Sequence, residues 1–439
     1  MENSAPKILV SEIFNASLKA VNPYESAKPY IDRVYSIYQN DNYNKLFVIG
    51  FGKAVCSMAK AAEDSLASLI SIGIAITKYG HCYLPFKPGK IEVYEAGHPV
   101  PDESGLKATE EIIRLVSNTD ERTFIVCLIS GGGSALLVSP YEGITINEKQ
   151  KITELLLKAG ANINELNTVR KHISRVKGGR LAELAYPAKV ISLILSDVID
   201  DRLDVIASGP TSPDKTTYDE ALRVLEKYGL MDRCPQSILE VLYKGAKGLI
   251  PETPKEGNII FERVENIIIG SNRKALSAAK EKAERSGFYA EIISSGLTGE
   301  ARGAGRWLAK KAKEKRNALC VKRDRKICLI SGGETTVTVK GKGKGGRNME
   351  LALSFAMEIE GINGITLLSA GTDGTDGPTD AAGAIVDGHS VIKARAMGID
   401  PKEYLRNNDS YNFFKKINGL FKTGPTGTNV MDLQILVME

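Results

Sequence analysis

Five apolar, β-branched runs of this chain stop abruptly in glycine or aspartate. FVIG (47–50) leads into Phe51-Gly52-Lys53, CLIS (127–130) into Gly131-Gly132-Gly133, and LILS (193–196) into Asp197. Further on, CLIS (328–331) leads into Gly332-Gly333-Glu334, and LLSA (367–370) into Gly371-Thr372-Asp373. Short runs without polar alternation suit strands buried on both faces, the habit of parallel sheets. Helical stretches separate them, so the fold class expected is α/β: an N-terminal doubly wound, Rossmann-like parallel sheet with helices on both faces, then a C-terminal α/β domain. In such sheets ligands bind beyond the carboxyl ends of the strands. Five loaded strand ends therefore point to one composite site, expected in a cleft between the domains.

At 439 residues the chain exceeds one comfortable core. The segment 244–258, rich in proline and glycine, reads as a linker between domains at 1–245 and 258–439. Residues 8–39 read as helix broken at Pro23 and Pro29. The second half restarts the alternation: a strand at Asn266–Ile269, others at Ala290–Ile293, Thr335–Val339 and Ile365–Ser369, and a last one at Val430–Val437 closing the sheet. A net charge of +5, with 58 basic residues set among 53 acids, is too balanced for a nucleic-acid binder. No apolar run approaches a membrane span, and the N-terminus lacks a signal-peptide pattern. Six scattered cysteines (56, 82, 127, 234, 320, 328) without a CxxC pair fit a reducing cytoplasm better than a disulfide or zinc scaffold.

The paired LISGG segments expose glycine backbone, which lets bare N–H groups hold an anion. Gly131, Gly132, Gly133 and Ser134 at one end, and Gly332, Gly333 and Glu334 at the other, are the candidate phosphate contacts; ordinary tight turns are the plain alternative. Glu334 sets the second apart, because a carboxylate repels phosphate. Lys53 opens a helix, where a cation is misplaced against the dipole unless an anion joins it. The surrounding residues match neither a Walker A loop nor a dinucleotide fingerprint: Ala54 follows Lys53, and Val55 stands where a third glycine would be. Asp197, Asp200, Asp201 and Asp204 follow one strand, and Asp373, Asp376 and Asp380 another. Most suit caps and Asx-turns, whereas Asp197 and Asp373, directly after strands, are the metal candidates, since Mg²⁺ needs one or two protein oxygens plus phosphates. Arg347, after the flexible cationic run GKGKGG, offers a planar fork to phosphate or carboxylate. Within NTVRKHISRVKGGRLA (167–182), Arg170 and Lys177 are candidate substrate contacts. The four histidines show no metal spacing.

With these residues assembled, the sequence resembles the glycerate kinases of the MOFRL type. GFGKAVCSMA, GHPVPDESG, LISGGGSALL, LSDVIDDRLDVIASGPTSPD, LISGGETTVTVKGKGKGGRNMELAL and LLSAGTDGTDGPTDAAGA carry the resemblance, which spans nearly the whole chain. It implies a nucleotide-binding N-terminal domain, with ATP and Mg²⁺ or another divalent cation as cofactors and D-glycerate as substrate. Lys53 and Arg347 match the basic residues of the family's active site. One departure is Ile199-Asp200-Asp201, where the family usually has a glycine before the aspartate and may need its backbone freedom.

The function expected is transfer of the ATP γ-phosphoryl to the 2-hydroxyl of D-glycerate, giving 2-phosphoglycerate. Lys53 and Arg347 would offset charge and contact substrate, Asp197 would serve as base or metal ligand, and Arg170 or Arg347 would meet the glycerate carboxylate. The alternative is a nicotinamide-dependent hydroxypyruvate reductase, which the broken fingerprint disfavours; a non-catalytic phosphosugar sensor would not need the acid clusters. Neither nucleic acid nor membrane is expected as a partner. A homodimer is carried as the expected assembly, though the residues leave the oligomeric state open.

Overall fold

The structure, a computed structural model, describes residues 5–82, 89–319 and 326–439, so Cys320 lies outside the described residues. Two compact units form: Pro23–Ile269, and Gly270–Glu439 together with the segment up to Asn22.

The N-terminal unit is built on β1 (Lys45–Phe51), β2 (Ile70–Lys78), β3 (Ile91–Ala96), β4 (Thr123–Ile129), β5 (Lys189–Leu195) and β6 (Val264–Gly270), in the sheet order β3-β2-β1-β4-β5-β6. The pairs β1–β2, β2–β3, β1–β4 and β4–β5 are all parallel. Alternate residues of one strand feed two cores. Ile125, Cys127 and Ile129 of β4 pack with Ala108, Ile112 and Val116 of the helix Glu103–Val116. Phe124, Val126 and Leu128 pack on the other face with Val55, Met58, Ala59 and Ala62 of the helix Val55–Leu66. Burial on both sides explains why β4 has no polar position after Thr123.

The C-terminal unit has a mixed sheet of β7 (Tyr289–Leu297), β8 (Ile327–Gly333), β9 (Ile365–Gly371), β10 (Gly383–Asp387), β11 (Leu420–Phe421) and β12 (Asp432–Met438), ordered β11-β10-β9-β12-β8-β7. β7 and β8 run parallel, while β12 is antiparallel to both β8 and β9. The final run therefore does not close the sheet at an edge; it fills the centre. Thr335–Val339 forms no strand but a single bridge, Glu300↔Thr336, with the Thr338 N–H turned onto the Glu300 carboxylate at 3.2 Å.

The division between units also differs from the linker expectation. The 244–258 segment is fastened to the N-terminal unit: Pro251 accepts from Arg180, Glu252 meets His172 at 2.9 Å, and Thr253 donates to Asp214 at 3.1 Å. β6 then adds a sixth strand to that unit's sheet. The helix Ala5–Ala20 joins the C-terminal unit, burying Val10, Ile13 and Phe14, with the Phe14 ring edge-on to Phe421 at 5.3 Å. No described helix is long and apolar enough to cross a membrane, and the five described cysteines carry free thiols.

Candidate active site

In the N-terminal unit the ends of β1, β4 and β5 converge. Gly52 (φ 132°) has no room for a side chain, since a Cβ would lie 2.1 Å from the Ser130 hydroxyl. That close approach lets the Lys53 N–H bond the Gly131 carbonyl at 2.9 Å and the Ala54 N–H bond Ser130 Oγ at 3.0 Å. The helix Val55–Leu66 then starts without a side-chain cap. Lys53 is partly buried, and its Nζ has no hydrogen-bond acceptor among the described residues. The missing Cβ of Gly132 (φ 86°) would touch the His98 ring at 3.0 Å and the Lys53 stem at 3.2 Å, and that of Gly131 would sit 2.1 Å from Asp197 Oδ2. Lys53, His98, Asp197 and the glycine turn are thus brought together.

The turn itself is underbonded. Among the described residues the N–H groups of Gly131, Gly132 and Ser134 have no acceptor. Such donors are the complement of an anion. Burial raises the Asp197 pKa, although the Lys53 charge opposes the rise. Burial, with the charges of Lys53, Lys78 and His81, lowers His98 to about 4, so the imidazole is neutral at pH 7. His98 is not among the sequence candidates; its place in GHPVPDESG was the available signal. Behind the turn, the Ser134 hydroxyl meets Ser208 Oγ at 2.8 Å, and Ser208 donates to Asn167 at 3.1 Å. Asp200 (φ 62°) and Asp201 (φ 53°) both adopt left-handed backbone. Aspartate tolerates that region, which explains how an acid stands where glycine was expected.

The basic stretch 167–182 is sorted by its partners. Lys171 bonds Asp214 at 3.0 Å, Arg175 bonds Glu110 at 2.8 Å, and Arg180 bonds the Tyr218 hydroxyl at 2.9 Å. Arg170 has no such partner and its buried Nε lacks any acceptor.

In the C-terminal unit the second glycine pair lies inside the sheet. Gly332 and Gly333 belong to β8 and are flanked by β12 and β7. A Cβ on Gly332 would lie 2.1 Å from Asn272 Oδ1, and one on Gly333 would lie 2.4 Å from the Leu297 backbone. Their small size serves packing against Asn272 and Leu297, in place of the bare N–H groups expected at that end. Arg347 forks onto Asp432 at 2.6 and 2.9 Å, and its Nη1 meets Glu334 at 3.1 Å. Burial works against the Arg347 charge, but these carboxylates hold its pKa above the usual arginine value. Asp432, absent from the sequence candidates, lies opposite Gly333 on β8 and Gly371 on β9. Two flanking glycines leave room for its carboxylate and the guanidinium.

Asp373 accepts from the Thr375 N–H at 2.9 Å in an Asx-turn. Asp376 accepts from the Asn348 and Met349 N–H groups at 3.0 and 2.8 Å, capping the helix Arg347–Glu358, and burial raises its pKa to about 7. The lysine-glycine run is held by its backbone: Lys340 and Gly341 N–H groups bond Asn408 Oδ1 at 2.8 and 2.9 Å, and Lys344 N–H bonds Asp409 at 2.8 Å. It is not the free loop the sequence suggested. Among the described residues no group of three His, Cys, Asp or Glu side chains could hold a metal. The two metal candidates fall in different units: Asp197 in the first, Asp373 in the second.

Two family models match the chain: a domain of unknown function, DUF4147, over residues 9–243 and the MOFRL family over residues 327–432. A D-glycerate 2-kinase of Thermotoga maritima is 49% identical over 98% of this chain and 97% of that protein. A glycerate 2-kinase of Pyrococcus horikoshii is 42% identical over 96% of this chain and 95% of its own. The crystal structure of a Thermotoga maritima glycerate kinase superposes with a TM-score of 0.89 at 48% identity, covering 99% of this chain and all of that one.

Proposed function

The chain belongs to the MOFRL-type glycerate kinase family, and on that premise we propose that it transfers the γ-phosphoryl group of ATP to the 2-hydroxyl of D-glycerate. The observation that carries the reading is the end of β4, where three N–H groups without acceptors face the same corner as an unpartnered lysine. Phosphoryl transfer asks for positioning and charge neutralisation more than covalent chemistry. The turn Gly131–Ser134 would hold phosphate oxygens by backbone donation. Lys53 would offset the charge that spreads over the transferred group. Asp197, made more basic by burial, would accept the proton of the attacking hydroxyl. Neutral His98 would keep the donor turn closed against water without adding charge.

Asp197 supplies one carboxylate, which fits a Mg²⁺ ion held mainly by nucleotide phosphates and not a protein-held one. Such an ion would supply further charge neutralisation. Arg170, whose buried Nε has no acceptor among the described residues, is assigned to the glycerate carboxylate. An anion reaching Arg347 would compete with Glu334, half exposed, and not with Asp432, whose side chain is 1% exposed. The reductase reading gains nothing from the structure of the β1 turn, where Val55 lies against Gly50 in place of a third glycine.

Incubation with ATP, Mg²⁺ and D-glycerate, followed by identification of the phosphorylated position, tests the proposal. 2-Phosphoglycerate and ADP are expected. 3-Phosphoglycerate would overturn the 2-hydroxyl assignment, and NADH oxidation by hydroxypyruvate without ATP would overturn the kinase.

A further inference from the structure

The segment 205–209 carries three successive residues in left-handed backbone: Ala207 (φ 50°), Ser208 (φ 64°) and Gly209 (φ 62°). Only the glycine adopts that region without steric cost. Such geometry persists where the surroundings over-determine it. Here the Ser208 carbonyl accepts from the Gly178 N–H at 3.0 Å and the Gly209 carbonyl from the Gly179 N–H at 2.7 Å, while the Ser208 N–H bonds the Val205 carbonyl at 2.9 Å. Both strained side chains meet the glycine turn after β4. A Cβ on Gly133 would lie 2.8 Å from the Ala207 Cβ, and the Ser208 hydroxyl lies 2.8 Å from that of Ser134. Ser208 is fully buried.

Ser208 has one hydroxyl proton and donates it to Asn167 Oδ1 at 3.1 Å, so Ser134 is the donor in the contact the two serines share. The Ser134 hydroxyl is thereby turned inward, and its N–H is left unbonded. Asn167 is itself buried, in the helix Ile163–His172 whose start is fixed by the Asn162 and Glu165 capping box. A run of three glycines needs such an anchor. Gly131, Gly132 and Gly133 let backbone approach a ligand, but they have no side chains to hold their N–H directions. Upstream the run is tied by the Lys53 N–H on the Gly131 carbonyl at 2.9 Å; downstream the tie is Ser134. Glycine at 208 would relieve the strain and lose that tie.

We propose that Ser208 is a positioning residue for phosphoryl transfer: carried on left-handed backbone, its hydroxyl anchors Ser134 and so holds the unbonded N–H groups of Gly131, Gly132 and Ser134 in one fixed arrangement for an anion. The inference rests on the kinase reading for the identity of that anion, the phosphates of ATP. Preorganised donors gain over water because their directions are set before the charge arrives. Ser208 touches no reacting atom and acts through Ser134.

The test compares Ser208→Ala, which keeps the strain and removes the hydroxyl, with Ser208→Gly, which removes both. Calorimetric titration of the full chain with ATP and Mg²⁺, and separately with adenosine, reads the phosphate contacts apart from the rest of the nucleotide site. Both variants should bind ATP about tenfold more weakly, with adenosine binding unchanged. Thermal melts should give a higher unfolding midpoint for Ser208→Gly than for Ser208→Ala, because glycine adopts the left-handed region freely. Stability and ATP affinity thus separate. If Ser208→Gly binds ATP as wild type does, or if adenosine binding falls in step with ATP binding, Ser208 serves only the fold and the inference is overturned. If wild type binds ATP but forms no phosphoglycerate, the kinase reading fails, while the same loss of ATP binding in Ser208→Gly still upholds the anchor.

Discussion

The end of β4 and the end of β8 share the six residues CLISGG and little else. After β4 the strand stops at Ile129, the glycines leave the sheet, and three N–H groups stand without acceptors beside Lys53. After β8 the glycines remain in the ladder, and the space they free is taken by Asn272 and the Leu297 backbone. At the first end one carboxylate, Asp197, stands with one lysine, Lys53; at the second, Arg347 is met by two carboxylates, Asp432 and Glu334. Whether a glycine at a strand end serves a ligand or the fold thus depends on what lies across from it.

Three experiments bear on that contrast. The largest effect is expected from Lys53→Ala, a loss of about 10²–10³ in turnover with little change in unfolding, measured by steady-state kinetics and thermal melts. Near-full turnover would remove Lys53 from the chemistry and with it the functional half of the comparison.

Next come Gly131 and Gly332, one at each strand end, whose missing Cβ atoms would each meet a side-chain oxygen at 2.1 Å. Gly332→Ala should overpack β8 against Asn272 and lower the unfolding free energy by about 1–3 kcal/mol. Asn272 bonds the Val430 and Asp432 carbonyls at 2.8 and 3.1 Å, so it cannot simply step aside. Gly131→Ala should instead displace Asp197 and lower turnover more than stability. Equal stability losses in denaturant titrations would erase the distinction.

The smallest effect is in the pH dependence of stability, at most about 1.4 kcal/mol per pH unit for one proton. His98 falls from 6.5 to about 4 on folding, so the unfolded chain binds more protons in that window and stability falls as the pH drops through it. Asp376 rises from 3.8 to about 7, so the folded chain binds more protons and stability falls as the pH climbs through that window. His98→Gln should remove the first slope and Asp376→Asn the second. Slopes of the same sign, read from unfolding free energies between pH 4 and 7, would contradict the burial that drives both groups toward their neutral forms.

The strand runs, the helices between them and the residues at parallel strand ends were legible because burial on both faces and a glycine stop leave a direct mark in sequence. Lys53, Gly131–Ser134 and Asp197 were found that way, and the structure brings them into one corner. Asp432 was not found, for a topological reason. β12 runs antiparallel, so its first residue, not its last, arrives at the carboxyl ends of β8 and β9. The 244–258 segment looked like a linker from its prolines and glycines, yet Glu252 and Thr253 are tied to His172 and Asp214.

What the sequence determined alone was the alternation of buried strands and amphipathic helices, the glycine stops, and membership of a kinase family. Those follow from local burial periodicity and from residue types that only certain backbone geometries admit. The tertiary structure decided which glycine pair is open to an anion and which carboxylates meet Arg347. Each of these depends on what strands and helices distant in sequence place opposite a given residue, and no local pattern encodes that.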